Sequence, residues 1–158
     1  MSSLSYGGVS YLIEAEIKQK IEERLDIVIE KIIKLVDNYA QCKNGEKEPE
    51  IKQLEESQVR NVLNMANALD SIEALMVFIQ YQMARNKIPR KFGNALIEDI
   101  KTELNKLAEE ITAENTKKKQ VWLSLIRNYL GYLNMYFVYK KKIMDSNEKI
   151  ANTARRSN

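Results

Sequence analysis

Histidine is absent from this chain of 158 residues, and cysteine occurs once, at Cys42. Without an imidazole there is no Ser-His or Cys-His pair for nucleophilic catalysis, and none of the common zinc ligand sets is complete. A single cysteine cannot form an internal disulfide, which is typical of proteins in a reducing compartment. We therefore expect a cytoplasmic protein without a histidine-based active site.

Catalysis or metal binding by carboxylates alone would need acidic side chains that converge. The sequence has three acidic pairs, at Glu55-Glu56, Glu98-Asp99 and Glu109-Glu110. Neighbouring residues of a helix point about 100° apart, and none of these pairs has the Glu-x-x-His spacing of di-iron bundles. No glycine-rich phosphate loop is present either. The sequence therefore predicts a protein that acts by binding, is not an enzyme, and uses no metal and no cofactor.

Glycine and proline are also scarce, with 5 and 2 residues. A chain of short strands needs turn residues more often than this, so the composition favours helices. No apolar run approaches the roughly 18 residues of a membrane span. Residues 1–9 are small and polar, without the features of a signal peptide, and we expect them to be flexible.

Apolar residues at helical spacing predict an all-α protein, a single bundle of about five helices over residues 10–145. The first and last helices are long, and the third, apolar around most of its circumference, is expected to be central and buried. Asp70 is the expected N-cap of the third helix, and residues 146–158 are expected to form a flexible tail. The predicted helices are Ser10 to Ala40, Ser57 to Leu69, Ser71 to Lys87, Asn94 to Ile111 and Thr116 to Asp145. A charged linker, Lys43 to Glu56, follows the first of them.

Positive charge is concentrated in two segments, although the chain has 25 basic and 22 acidic residues overall. Residues 74–97 contain four bases and no acid, and residues 115–144 contain seven bases and no acid. The rest of the chain therefore carries a net charge of −8. Such segregation produces local positive potential, which attracts the phosphates of nucleic acid.

We therefore predict contacts to RNA phosphates without sequence readout. The candidate RNA-binding residues are Arg60, Arg85, Lys87, Arg90, Lys91, Lys117, Lys118, Lys119, Arg127, Lys140 and Lys141. An alternative for residues 140–142 is that they balance the negative end of a helix. The tyrosines of the last helix (Tyr129, Tyr132, Tyr136 and Tyr139) could stack on bases, but their spacing favours core or interface positions.

Three short motifs resemble a known family. Ser57-Gln58-Val59-Arg60 opens a helix, a second helix ends with Tyr81-Gln82-Met83-Ala84-Arg85, and residues 129–140 read Tyr-Leu-Gly-Tyr-Leu-Asn-Met-Tyr-Phe-Val-Tyr-Lys. In this order they are similar to the small subunit of type III CRISPR effector complexes. The closing motif of this chain lacks the histidine found in that family.

The resemblance implies a non-catalytic subunit in the antiviral defence complex. Its partners would be guide and target RNA, other subunits and further copies of itself, with no membrane involved. Arg60 and Arg85 match the family motifs, and the resemblance implies that each either contacts RNA or has a structural role. The acid-free surroundings of Arg85 favour RNA contact, whereas Arg60 could instead pair with Glu55 or Glu56.

A second interpretation is a helical adaptor that binds a protein partner through its aromatic last helix, because tyrosine and methionine are common in protein interfaces. A third is a DNA-binding bundle of viral or plasmid origin, although no recognition-helix turn is evident.

Overall fold

The computed structural model describes residues 14–158, so the predictions for residues 1–13 lie outside the described part. The described residues form α-helices and connecting turns without a strand, which confirms the all-α class. None of the helices in this range is long and apolar enough to cross a membrane. The helices are α1 (14–23), α2 (Leu25–Tyr39), α3 (Glu56–Ala68), α4 (Ile72–Ala84), α5 (Arg90–Glu98), α6 (Leu104–Ile111) and α7 (Asn115–Arg156).

The long first helix is interrupted, contrary to the sequence prediction. The backbone turns at Arg24, whose N–H donates to the carbonyl of Ile21, and a new helix starts at Leu25. The apolar stripe nevertheless continues across the break, because Ile21, Val28 and Ile32 are all buried. A stripe at helical spacing reports which face is buried and does not reveal a local turn within it.

The segment between α2 and α3, predicted as a charged linker, is anchored to the core. It contains a 3₁₀ turn at Glu50–Gln53. Ile51 and Leu54 are buried in the core, and the Glu50 side chain is buried as well. Two apolar residues within a charged sequence are therefore enough to fasten the connection to the bundle.

The N-cap of α4 is one residue later than predicted. The Ser71 hydroxyl accepts a hydrogen bond from the N–H of Ala74 at 3.1 Å, so Ser71 and not Asp70 caps the helix. Serine and aspartate are comparable caps, and the choice between them depends on where the backbone enters the helix.

The helix expected to start near Asn94 starts at Arg90, directly after Pro89. Proline with its fixed φ suits the entry into a helix. After Glu98, α5 widens into a π-helical turn at Asp99–Glu103, which α6 follows. The Trp122 indole N–H donates to the Ile100 carbonyl within this turn at 2.8 Å.

The centre of the bundle is α7, which packs against α2, α3 and α6. Its buried side chains include Leu125, Tyr129, Leu133 and Phe137. The helix continues to Arg156, beyond the predicted end at Asp145, because residues 146–156 contain no proline or glycine to stop it. All side chains after Met144 are exposed, so this last part is helical without contributing to the core.

The prediction that α4 is central and buried is wrong. This helix packs mainly on α3 and α5 and buries Leu75, Met76 and Ile79. The opposite side is uncovered, with Val77 exposed to 64% and Tyr81 to 55%. A helix that is apolar around most of its circumference is usually enclosed, so the exposure of Val77 and Tyr81 beside Glu73 and Gln80 is unusual for a surface helix.

Candidate nucleic-acid interface

Most bases of the second acid-free segment, residues 115–144, have carboxylate partners from elsewhere in the fold. The ammonium of Lys118 lies 2.6 Å from Glu109, and that of Lys117 lies 3.2 Å from Glu114. Lys140 lies 3.2 Å from Asp37, on the distant helix α2. The charge segregation of the sequence is therefore largely cancelled along α7.

Arg127 has a structural position in the fold. Its Nε donates to the Ala66 carbonyl at 2.9 Å, and its Nη2 donates to the Leu69 carbonyl and to Asp70, each at 3.1 Å. These carbonyls are at the C-terminal end of α3, where intrahelical donors are missing. Arg127 therefore caps the C-terminal end of α3 and links it to α7.

Lys141 is also held by the protein itself. Its ammonium donates to the Leu54 carbonyl at 2.8 Å and lies 5.7 Å from the centre of the Phe137 ring. It thereby ties the anchored connection before α3 to α7.

Three predicted bases remain exposed where α4 turns into α5: Arg85, Lys87 and Arg90, which we call the basic corner. Within residues 14–158, no carboxylate oxygen lies within 4.0 Å of their charged nitrogens. Their charges are thus available to an external anion, since no carboxylate of the described chain must first be displaced.

The backbone of the basic corner is well defined. Asn86 has a φ of 60°, the left-handed conformation that ends many helices and that asparagine tolerates better than most residues. The N–H groups of Lys87 and Ile88 both donate to the Gln82 carbonyl, and the Ile88 side chain is buried. The corner therefore presents its bases from an anchored turn.

A buried carboxylate fixes the start of α5 next to this corner. Glu50 Oε1 accepts hydrogen bonds from the N–H groups of Lys91 and Phe92, at 3.0 and 3.1 Å. A carboxylate here accepts from backbone N–H groups of the first helical turn that have no intrahelical partner, and its negative charge interacts favourably with the positive end of the helix dipole. A cleft of about 700 Å³ lies alongside, lined by Glu50, Asn86 and Arg90 among others.

The segment from Arg90 to Gly93 forms the first turn of α5. Arg90 and Lys91 are exposed, but Phe92 and Gly93 are buried. The ammonium of Lys91 lies 3.4 Å from Glu46, so its charge is partly compensated.

The two remaining candidates, Arg60 on α3 and Lys119 on α7, are exposed and have no carboxylate of the described chain within 4.0 Å. The alternative that Arg60 pairs with Glu55 or Glu56 is not what the structure contains. Glu56 instead lies 3.7 Å from Lys142, and Glu55 accepts a hydrogen bond from Ser57.

The tyrosines of α7 differ in burial. Tyr129 is fully buried and donates to Asp99 at 2.6 Å, whereas Tyr136 is half-buried and donates to Asp37 at 2.6 Å. Burial, followed by the charge of Asp99, raises the pKa of Tyr129 well above its ordinary value. Burial and the Asp37 hydrogen bond raise the pKa of Tyr136 to about 12. Both hydroxyls are therefore neutral donors within the fold.

Sequence reasoning missed Tyr81, because it placed this residue inside a buried helix. The structure leaves its ring exposed, with the Arg85 guanidinium carbon 5.3 Å from the ring centre. The spacing of four residues, which puts two side chains on one helical face, was the signal that could have identified this pair.

Residues 14–158 contain no group of three potential metal-ligating side chains close enough to hold an ion. Comparison of the chain with protein-family models, curated proteins and solved structures gave no match.

Proposed function

We propose that this chain is a non-catalytic RNA-binding subunit that contacts the phosphate backbone through the basic corner. The observation that carries the proposal is the cluster of three exposed bases without a carboxylate of the described chain within 4.0 Å. Phosphates can approach these side chains and release their own counterions, which is the main source of sequence-independent affinity.

The interface is smaller than the sequence suggested. Lys117, Lys118 and Lys140 would each have to leave a carboxylate before binding a phosphate. Arg127 and Lys141 hold the fold together through backbone carbonyls. The proposal therefore gives these five residues no direct part in RNA binding and keeps Arg60 and Lys119 as peripheral contacts.

The biological setting that we propose is the small subunit of a type III CRISPR effector complex. The support for it is the motif resemblance, including Arg60 at the start of α3 and Arg85 at the end of α4. In such an assembly, base pairing between guide and target would supply the specificity, and other subunits would supply the chemistry.

The first test measures binding of the protein to labelled single-stranded RNA by fluorescence anisotropy at several salt concentrations. Two unrelated sequences of equal length should bind with similar affinity, and the affinity should fall steeply as salt increases. Absence of binding to either RNA at low salt would contradict the proposal.

A protein-binding adaptor is the second candidate, and one observation favours it. Met135, Tyr139 and Ile143 form an exposed apolar stripe on α7, with exposures of 58%, 58% and 43%. If this stripe is the functional surface, Tyr139→Ala should abolish capture of a partner while leaving RNA affinity unchanged. Tyr136 is a poorer probe because its hydroxyl is bound to Asp37.

A further inference from the structure

The exposed face of α4 leads directly to the basic corner. Val77, Tyr81 and Arg85 are spaced four residues apart and therefore follow one another along the helix surface. The first two are exposed to 64% and 55%, and Arg85 is exposed as well. An apolar surface and an aromatic ring thus adjoin a cluster of positive charge.

The Tyr81 ring and the Arg85 guanidinium are arranged as neighbouring flat groups. The guanidinium carbon lies 5.3 Å from the ring centre, within the range of a cation–π contact. A cation–π contact favours this relative position of the two side chains before any ligand arrives, and such preorganisation reduces the entropy lost on binding. Both groups are planar surfaces on which another planar group can stack.

The charge around this face identifies its occupant. No acidic residue occurs from position 74 to position 97, so Tyr81 and the basic corner share their segment with bases alone. Glu73 lies four residues before Val77 on the same helical face, and Glu46 and Glu48 line the cleft beside Arg90, so the positive charge is concentrated at the Arg85 end of the face. A nucleotide combines a planar, largely apolar base with a phosphate, which matches a ring beside cations that have no carboxylate of residues 14–158 within 4.0 Å. Stacking on aromatic side chains tolerates every base, in agreement with binding that does not read sequence.

We infer that Tyr81 and Arg85 form a stacking platform for an unpaired base of RNA, while Lys87 and Arg90 hold the adjacent phosphates. This inference rests on the proposed function and adds the class of ligand, namely single-stranded RNA. In a duplex the faces of the bases are covered by their neighbours, so the platform can engage only an unpaired base.

The test compares Tyr81→Leu with the wild type on a single-stranded RNA and on the duplex formed from it. Leucine keeps an apolar side chain and the charge but removes the ring. Base stacking of this kind is worth enough that we expect a loss of about 5- to 150-fold in affinity for the single strand. Affinity for the duplex and the slope of affinity against salt should stay as in the wild type.

Two further variants make the comparison sharp. Tyr81→Phe retains the ring and should bind single-stranded RNA as the wild type does. Tyr139→Leu removes a tyrosine of similar exposure, 58%, from α7 and should have no effect on RNA binding. Thermal melting of each variant shows that it is folded, and an RNA with 2-aminopurine reports stacking through quenching of its fluorescence.

The outcomes separate this inference from the function on which it rests. If the wild type binds RNA but Tyr81→Leu binds each form as tightly as the wild type does, or loses affinity by the same factor for both forms, the stacking platform is wrong and the RNA-binding proposal stands. If the wild type binds no RNA, the proposed function itself fails. Loss of single-strand affinity together with loss of 2-aminopurine quenching supports the platform.

Discussion

Replacing Arg85, Lys87 and Arg90 together with alanine should weaken RNA binding far more than replacing three lysines that already have carboxylate partners. The matched control is the triple variant of Lys117, Lys118 and Lys140, whose ammonium groups lie 2.6 to 3.2 Å from carboxylates. Each triple change lowers the formal net charge from +3 to 0, so the long-range attraction of RNA changes by the same amount in both.

The magnitude follows from counterion release. Each phosphate neutralised on a single strand contributes about −0.7 to the slope of log affinity against log salt, so three contacts contribute about −2. Between 50 and 200 mM salt, this share of the slope alone corresponds to an affinity change of about 18-fold. The basic-corner variant should lose this share. The control variant should lose much less, because each of its lysines must release a carboxylate before it can bind a phosphate.

Fluorescence anisotropy at several salt concentrations measures both the affinity and the slope. The basic-corner variant should be folded, since all three of its substituted residues are exposed. Circular dichroism checks this for both variants, because the three lysines of the control are partly buried. An equal loss of slope in the two variants would refute the reasoning, because it would mean that total charge, and not the unpaired corner, determines RNA binding.

Four further predictions concern the fold. Burial raises the pKa of Asp99 despite its hydrogen bond from Tyr129, so the native state holds this proton more tightly than the unfolded chain does. Ionisation of Asp99 therefore lowers the stability of the folded protein. The whole loss is present when the pH is above the folded pKa, and there is no loss when the pH is below the unfolded pKa near 3.8. Asp99→Asn retains an acceptor for the Tyr129 hydroxyl. In urea unfolding it should be more stable than the wild type at about pH 7 and equally stable at about pH 3. A variant less stable than the wild type at about pH 7 would contradict this reasoning. Gly131→Ala should raise the unfolding free energy by about 1 kcal/mol, because an added Cβ meets no atom within 4 Å in the middle of α7. Gly45→Ala should lower the unfolding free energy, because Gly45 has a φ of +85°. Urea unfolding measures both glycine variants, and a stabilising effect of Gly45→Ala would be inconsistent with this backbone conformation. Arg127→Met should lower the free energy of unfolding in urea by about 1 to 3 kcal/mol, because it leaves two carbonyls at the end of α3 without their donor. A change near zero would mean that Arg127 does not cap α3.

The class of fold could be predicted from the sequence because the information is local. Apolar residues three and four positions apart define one face of a helix wherever they occur, and Ile32, Leu35 and Leu125 are buried as that spacing implies. Pro89 marks the boundary between α4 and α5 for an equally local reason, since its ring constrains the preceding backbone. The absence of histidine likewise limits the available chemistry without reference to any fold.

Which bases remain unpaired was decided only by the tertiary structure. Lys140 meets Asp37 and Arg127 meets Asp70 because separate helices pack side by side, and no local pattern encodes that proximity. The exposure of Tyr81 has the same origin, since a buried position and an exposed one look alike in a uniformly apolar helix until its neighbours are placed. The sequence thus determined the helices and the surplus of positive charge, whereas packing between helices selected the corner where that charge has no carboxylate partner among the described residues.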